Sequence, residues 1–206
     1  MKNQNSDETL NEVEENKHTS NSNSSLDDLI IIGGARGVGK TTIAKKYFAL
    51  TGGSYIHPGD QFIKYVYNGT PAVEESKVIE GMSLHEILNS PKPTIVDLHY
   101  SAYVKPIGFV KGFCDDSLKI LAREYKNISL YLIDLPAEIL LERRLKDSNK
   151  EVKKRKMDLE TIKEELRQNK EGFQHFVDFL SRYTSVKYKV IVNDDVEDVL
   201  NEMAKV

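Results

Sequence analysis

Residues 30–42 read IIIGGARGVGKTT, three isoleucines running into a glycine-rich turn with one lysine and two threonines. With Leu29 before them, the β-branched residues have the pattern of a strand buried on both faces. Gly34 to Thr41 match G-x-x-x-x-G-K-[ST] at every fixed position, and TTIAKKYFAL follows with helical spacing. Strand, loop and helix in that order form a phosphate cradle. Glycines let successive backbone N–H groups turn inward, and the first helical turn adds unpaired donors at the positive end of its dipole. The loop of Gly34, Ala35, Arg36, Gly37, Val38, Gly39, Lys40, Thr41 and Thr42 is therefore expected to hold the phosphates of a nucleoside triphosphate. Lys40 would reach the β- and γ-phosphates, and the hydroxyl of Thr41 would ligate Mg²⁺. Arg36 occupies a variable position, as a further phosphate contact or as a surface residue.

Outward from this turn, short apolar segments alternate with helical patterns, which argues for a parallel sheet with crossover helices. Strands are predicted at 29–32, 54–57, 94–98, 128–135 and 187–192, and helices at 39–50, 60–67, 83–88, 115–125, 137–145, 159–183 and 195–204. Pro136 suits a first helical turn, and Thr161 with Glu164 reads as a capping box. Phe173, Phe176, Phe179 and Tyr183 recur at helical spacing, as a core stripe does. The predicted fold is α/β: a three-layer P-loop nucleotide kinase fold with a five-stranded parallel sheet and a small basic lid at about 146–158. Such a fold also needs an acid at the tip of a neighbouring strand. Pro93-Thr-Ile-Val-Asp97 supplies it, and Asp97 is expected to hold Mg²⁺ through a water. His99 shares the face of Asp97 if the strand continues, and either orients a reacting group or is structural.

The 206 residues, 39% hydrophobic, suffice for one sizeable core. Residues 1–25 hold three apolar residues, and their two lysines against five acids account for the whole net charge of −3. That segment cannot offset its ordering entropy and is expected to be a disordered tail before a domain over 26–206. The remaining 27 basic and 27 acidic residues make no global positive field for nucleic acid or an anionic membrane. A single cysteine, Cys114, and no basic start followed by an apolar stretch point to a cytoplasmic protein. No N-K-x-D occurs to read guanine, as a GTPase switch would require.

Several stretches together resemble the archaeal-type adenylate kinases, a branch of the nucleoside monophosphate kinases. Besides the glycine-rich turn they are His57-Pro-Gly59-Asp60, IVDLHYSAYVKPIGFVKGF (95–113), LIDLPAEILLERRLKD (132–147) and Asp158-Leu-Glu-Thr161. The resemblance, from about Leu29 to Val192, implies that the triphosphate on the glycine-rich turn is ATP, and Mg²⁺-dependent transfer from it to a nucleoside monophosphate, AMP first, with a homo-oligomer as a possible assembly. It implies an acceptor clamped near Gly59, Asp60 and the loop after Asp97, with His99 and Lys105, and places Arg143, Arg144 and Arg155 over the transferred group. The sequence departs from the family in two respects: no arginine occurs between Arg36 and Arg123, and Met157 stands where the family's lid pattern favours an arginine next to Asp158. Lysine lacks the bidentate fork with which arginine grips a phosphate. Two alternatives stay open: a kinase for another small substrate, and an ATP-binding protein or slow ATPase without a working acceptor site.

Overall fold

The computed structural model describes residues 28–65, 73–104, 106, 108–147 and 158–205. The expected tail, Lys105, and the expected lid from 148 to 157 with Arg155 lie outside them.

The apolar run becomes strand β1 (Leu29–Gly33), buried along its whole length at the centre of a sheet. β2 (Ser54–Ile56), β3 (Thr94–Leu98), β6 (Asn127–Asp134) and β7 (Ser185–Val192) complete it in the order β2-β3-β1-β6-β7. Every pair is parallel, as expected. Alternation along β1 feeds two cores. Leu29 and Ile31 face α3 (Val73–Asn89), α4 (Asp115–Glu124) and the distal half of α6 (Leu159–Leu180). Ile30 and Ile32 face α1 (Lys40–Thr51), α5 (Ala137–Asp147) and α7 (Val196–Met203). The register pairs Ile32 with Asp97, so the acid of β3 stands level with the end of β1, where the glycine-rich turn begins. β3 and β6 flank β1 on opposite sides, which opens a crevice at the carboxyl ends of the strands.

Four expectations need correction. The helix expected at 83–88 runs from Val73 to Asn89, and its mixed face and central Gly81 give too weak a periodicity to show its start. The helix expected from Asp60 is α2 (Pro58–Tyr65), which opens on a proline whose missing N–H costs nothing there. The cap of α6 is Asp158, whose Oδ1 accepts from Thr161 N at 2.8 Å, so Thr161 is the third helical residue and not a cap. The segment after β3 forms an unexpected antiparallel hairpin of β4 (Ser101–Val104) and β5 (Gly108–Lys111), strands of four residues with too little sequence to show alternation.

The aromatic stripe of α6 packs inward at Phe173 and Phe176, while Tyr183 lies past the helix end and is exposed. Both phenylalanines meet the ring of Tyr100 edge-on at 5.1 Å. That ring also explains Gly33, since a Cβ there would lie 2.3 Å from Tyr100 Cε2. Among the described residues no helix is long and apolar enough to cross a membrane.

Candidate active site

The turn between β1 and α1 holds left-handed backbone where its glycines fall, at φ 85° for Gly37 and 94° for Gly39. Space is as limiting as torsion. A Cβ on Gly34 would meet Ile133 O at 2.4 Å, and one on Gly39 would meet Asn193 Nδ2 at 2.4 Å. The loop is thus pressed against the ends of β6 and β7. Lys40 starts α1 with only 5% of its surface exposed, and its Nζ lies 3.4 Å from Ala35 O, so its charge sits back across the turn. That is the position a lysine needs to meet the outer phosphates of a bound triphosphate.

Asp97 is fully buried at the tip of β3. Its Oδ2 accepts from the Tyr55 hydroxyl at 3.2 Å and lies 3.1 Å from His57 Nδ1. Among the described residues its Oδ1 finds no hydrogen-bond partner. Burial works to raise the pKa of Asp97, but the His57 hydrogen bond, the Lys40 charge and the Thr41 hydroxyl outweigh it and keep the carboxyl below its ordinary range. The group is an anion at neutral pH. A buried carboxylate oxygen without a partner costs free energy unless something binds it.

His99 continues from β3 and places Nδ1 2.8 Å from Gly34 O, so its ring supports the first residue of the turn. Burial, then the charges of Lys40 and Arg36, hold its pKa well below 6.5, which makes it a neutral imidazole donating from Nδ1. The hydrogen bond to Asp97 does the opposite to His57 and raises its pKa above 6.5 despite desolvation. Imidazole NMR over pH 5–8 should therefore show His57 titrating above 6.5 and His99 not titrating at all. The two contribute to stability with opposite signs. The His57 contribution is present below 6.5 and is lost as pH rises through its folded value. The His99 site is most favourable above 6.5 and loses stability on acidification, because the unfolded chain takes up the proton first. A His99 resonance with a midpoint near 6.5 would contradict its burial.

The arginines after β6 both come to the turn, by different routes. Arg143 donates from Nη2 to Asn193 O at 2.8 Å, with Nη1 3.8 Å from the place of a Cβ on Gly39. Arg144 is buried to 1% and donates to Arg36 O from Nε at 3.2 Å and Nη2 at 2.7 Å, with Glu165 Oε2 2.5 Å from Nη2. It braces the loop from behind and forms an ion pair with Glu165, 21 residues along the chain on α6. The side chain of Arg36 is exposed while its carbonyl is held.

Asn193 escapes sequence reading. Buried directly after β7, it donates from Nδ2 to Val38 O at 2.6 Å and ties the last strand to the turn. The one available signal was an amide at the carboxyl end of a strand, where such sheets hold their ligands. Gly59 and Asp60 lie in the first turn of α2 and are linked to Asp97 through His57, whose carbonyl accepts from Asp60 N at 2.8 Å. Lys40, Asp97, His99 and Arg143 thus gather around the turn, with Arg144 behind it.

No protein-family model matches the sequence, and no curated protein matches it. Solved structures share its architecture at low identity. The shikimate kinase of Acinetobacter baumannii, in complex with shikimate, is 14% identical over 88% of this chain and 92% of its own, with a TM-score of 0.51. A sugar kinase from Janibacter sp. HTCC2649 is 14% identical over 87% of this chain and 94% of its own, with a TM-score of 0.50. Together with the five-stranded parallel sheet, these likenesses give the chain the P-loop nucleotide kinase fold.

Proposed function

We propose that the protein transfers the γ-phosphoryl group of ATP, with Mg²⁺, to a nucleoside monophosphate, AMP first. The observation that carries this reading is the buried Lys40 of the turn together with the buried Asp97, whose Oδ1 has no hydrogen-bond partner among the described residues and whose carboxyl feels the Lys40 charge and the Thr41 hydroxyl. Mg²⁺ suits this donor set, because it keeps several waters and needs few protein oxygens besides phosphate. Among the described residues no three His, Cys, Asp or Glu side chains form a ready metal cage, which such a cation does not require. Thr41 would hold it directly and Asp97 through a water; bound there, it would neutralise charge between the β- and γ-phosphates.

In this reading the chain orients and neutralises and makes no covalent bond to the substrate. Lys40 stabilises charge on the transferred group, Arg143 stands at the Gly39 end of the nest, and Arg144 and His99 hold the turn in shape. Arg155 and the basic segment 146–158 are assigned to closing over the phosphates, and Gly59, Asp60 and Lys105 to the acceptor side. The choice of AMP rests on the resemblance to archaeal-type adenylate kinases. Its test is direct: ADP and Mg²⁺ incubated with the protein should yield ATP and AMP. Without arginine forks on the acceptor side, each lost charge-assisted bond weakens AMP binding by about 1.5–3 kcal/mol. High AMP should therefore be needed, with an affinity that falls more steeply with salt than that of ATP. Tight, salt-insensitive use of AMP would contradict the weak clamp.

The same lack of arginine favours a second reading, transfer to a hydroxyl of another small molecule, with the exposed Asp60 at the head of α2 on the acceptor side. ATP binding with no transfer to any monophosphate, and turnover with a polyol in an acceptor panel, would replace the first reading with this one.

A further inference from the structure

We propose that Tyr55 and His57 are positioning residues that fix the rotation of the Asp97 carboxylate, so that Oδ1 is held toward the metal beside Thr41. The inference rests on the functional reading above and extends it to side chains outside the glycine-rich motif. A carboxylate at a strand tip can turn about its terminal torsion, which is broad and roughly two-fold. Either oxygen could then face the phosphates. Here the choice is made by two donors on β2 and the turn after it. The Tyr55 hydroxyl reaches Oδ2 at 3.2 Å, and His57 Nδ1 lies 3.1 Å from the same oxygen and 3.1 Å from the Asp97 carbonyl. With the Tyr55 hydroxyl and His57 Nδ1 both close to Oδ2, the oxygen left without a partner among the described residues is Oδ1, which is fully buried.

The His57 ring is itself confined. A Cβ on Gly59 would lie 2.5 Å from His57 Nε2 and 3.0 Å from Cε1, so the first turn of α2 closes the space behind the imidazole and the glycine makes room for it. Tyr55 packs against Phe48 of α1, with ring centroids 6.1 Å apart, which steadies the hydroxyl from the other side. The carboxylate is thereby set by the edge strand β2 and not by β3, which carries it. Outer-shell partners of this kind orient a ligand without touching the metal.

The test uses Mn²⁺ as a paramagnetic stand-in for Mg²⁺, with the full chain and a non-hydrolysable ATP analogue, read by EPR. His57→Leu removes the donor and keeps the bulk; it should lower Mn²⁺ affinity of the protein–analogue complex about tenfold, within the range for outer-shell losses. Affinity for the analogue in EDTA should stay within about twofold, because Asp97 meets the nucleotide through the metal. His57→Asn, whose Nδ2–H takes the place of the imidazole Nδ1–H, should recover most of the loss. Tyr55→Phe should show a smaller loss in the same direction. Unchanged Mn²⁺ affinity in His57→Leu, or equal losses in the Leu and Asn variants, would overturn the proposal. Should His57→Leu fail to fold by circular dichroism, Tyr55→Phe, which lacks a single oxygen, carries the test, and unchanged affinity there overturns it. A wild-type protein that binds the analogue with no metal dependence would overturn the functional reading itself. Metal-dependent binding with indifferent variants would overturn this inference alone.

Discussion

Lys40→Ala should lower the rate of phosphoryl transfer by about 10²–10³-fold, the loss typical of removing one preorganised group that meets developing charge. Lys40 is the buried cation of the turn, with its ammonium 3.4 Å from Ala35 O, whereas the Arg36 side chain is exposed and Arg143 is engaged with Asn193. Neither arginine is placed to substitute. Lys40→Arg should not rescue the activity, since a planar guanidinium is larger than an ammonium and Lys40 is only 5% exposed. The Ala variant should remain folded, because Asp97 keeps the hydrogen bonds of Tyr55 and His57. Single-turnover transfer measured beside a circular dichroism melt separates the two effects. Wild-type turnover in a folded Ala variant would remove the phosphate role from Lys40.

The largest effect on stability is expected from Arg144→Ala. The guanidinium is buried to 1%, and its removal strands the Arg36 carbonyl and leaves the Glu165 carboxylate, one-fifth exposed, without its cation. Breaking a buried pair from one side costs about 3–5 kcal/mol, and the partial exposure of Glu165 places this case near the lower end, about 3 kcal/mol. A domain of this size loses about 2–4 °C for each kcal/mol, so its melting temperature should fall by about 6–12 °C. Glu165→Gln should cost less, because the amide oxygen still accepts from Arg144. The double variant should be less destabilised than the sum of the two single ones, and a coupling near zero in that cycle would show that the ion pair does not hold the turn. ATP affinity should fall along with stability, since the Arg36 carbonyl belongs to the loop proposed to hold the phosphates.

These two residues mark how far the sequence could be read. The place of Lys40 was legible because it is set locally: strand, glycines, lysine and helix follow one another within 13 residues, and the turn is written in consecutive torsions. Asp97 was legible for a related reason, as an acid at the end of a β-branched run, which in a parallel sheet faces the ligand crevice. The five strands showed through their apolar runs. The hairpin of β4 and β5 did not, since four residues a side carry almost no periodicity.

Arg144 was expected from the resemblance to stand over the transferred group, and not as a brace for the turn. Its carbonyl partner on Arg36 is 108 residues away, and only the packing of α5 and α6 against β1 and β6 brings the two within reach. The same holds for Asn193 on Val38, 155 residues apart, and for His57 on Asp97, 40 apart. By itself, then, the sequence determined the glycine-rich turn, the parallel α/β class and the acid of β3, because each depends on residues adjacent in the chain or on a period of two or 3.6. The tertiary structure alone decided which side chains hold that turn and that acid in place, and which carboxylate oxygen is left unpartnered. Those are hydrogen bonds between distant segments, and their partners are chosen by sheet register and helix packing, which no local pattern encodes.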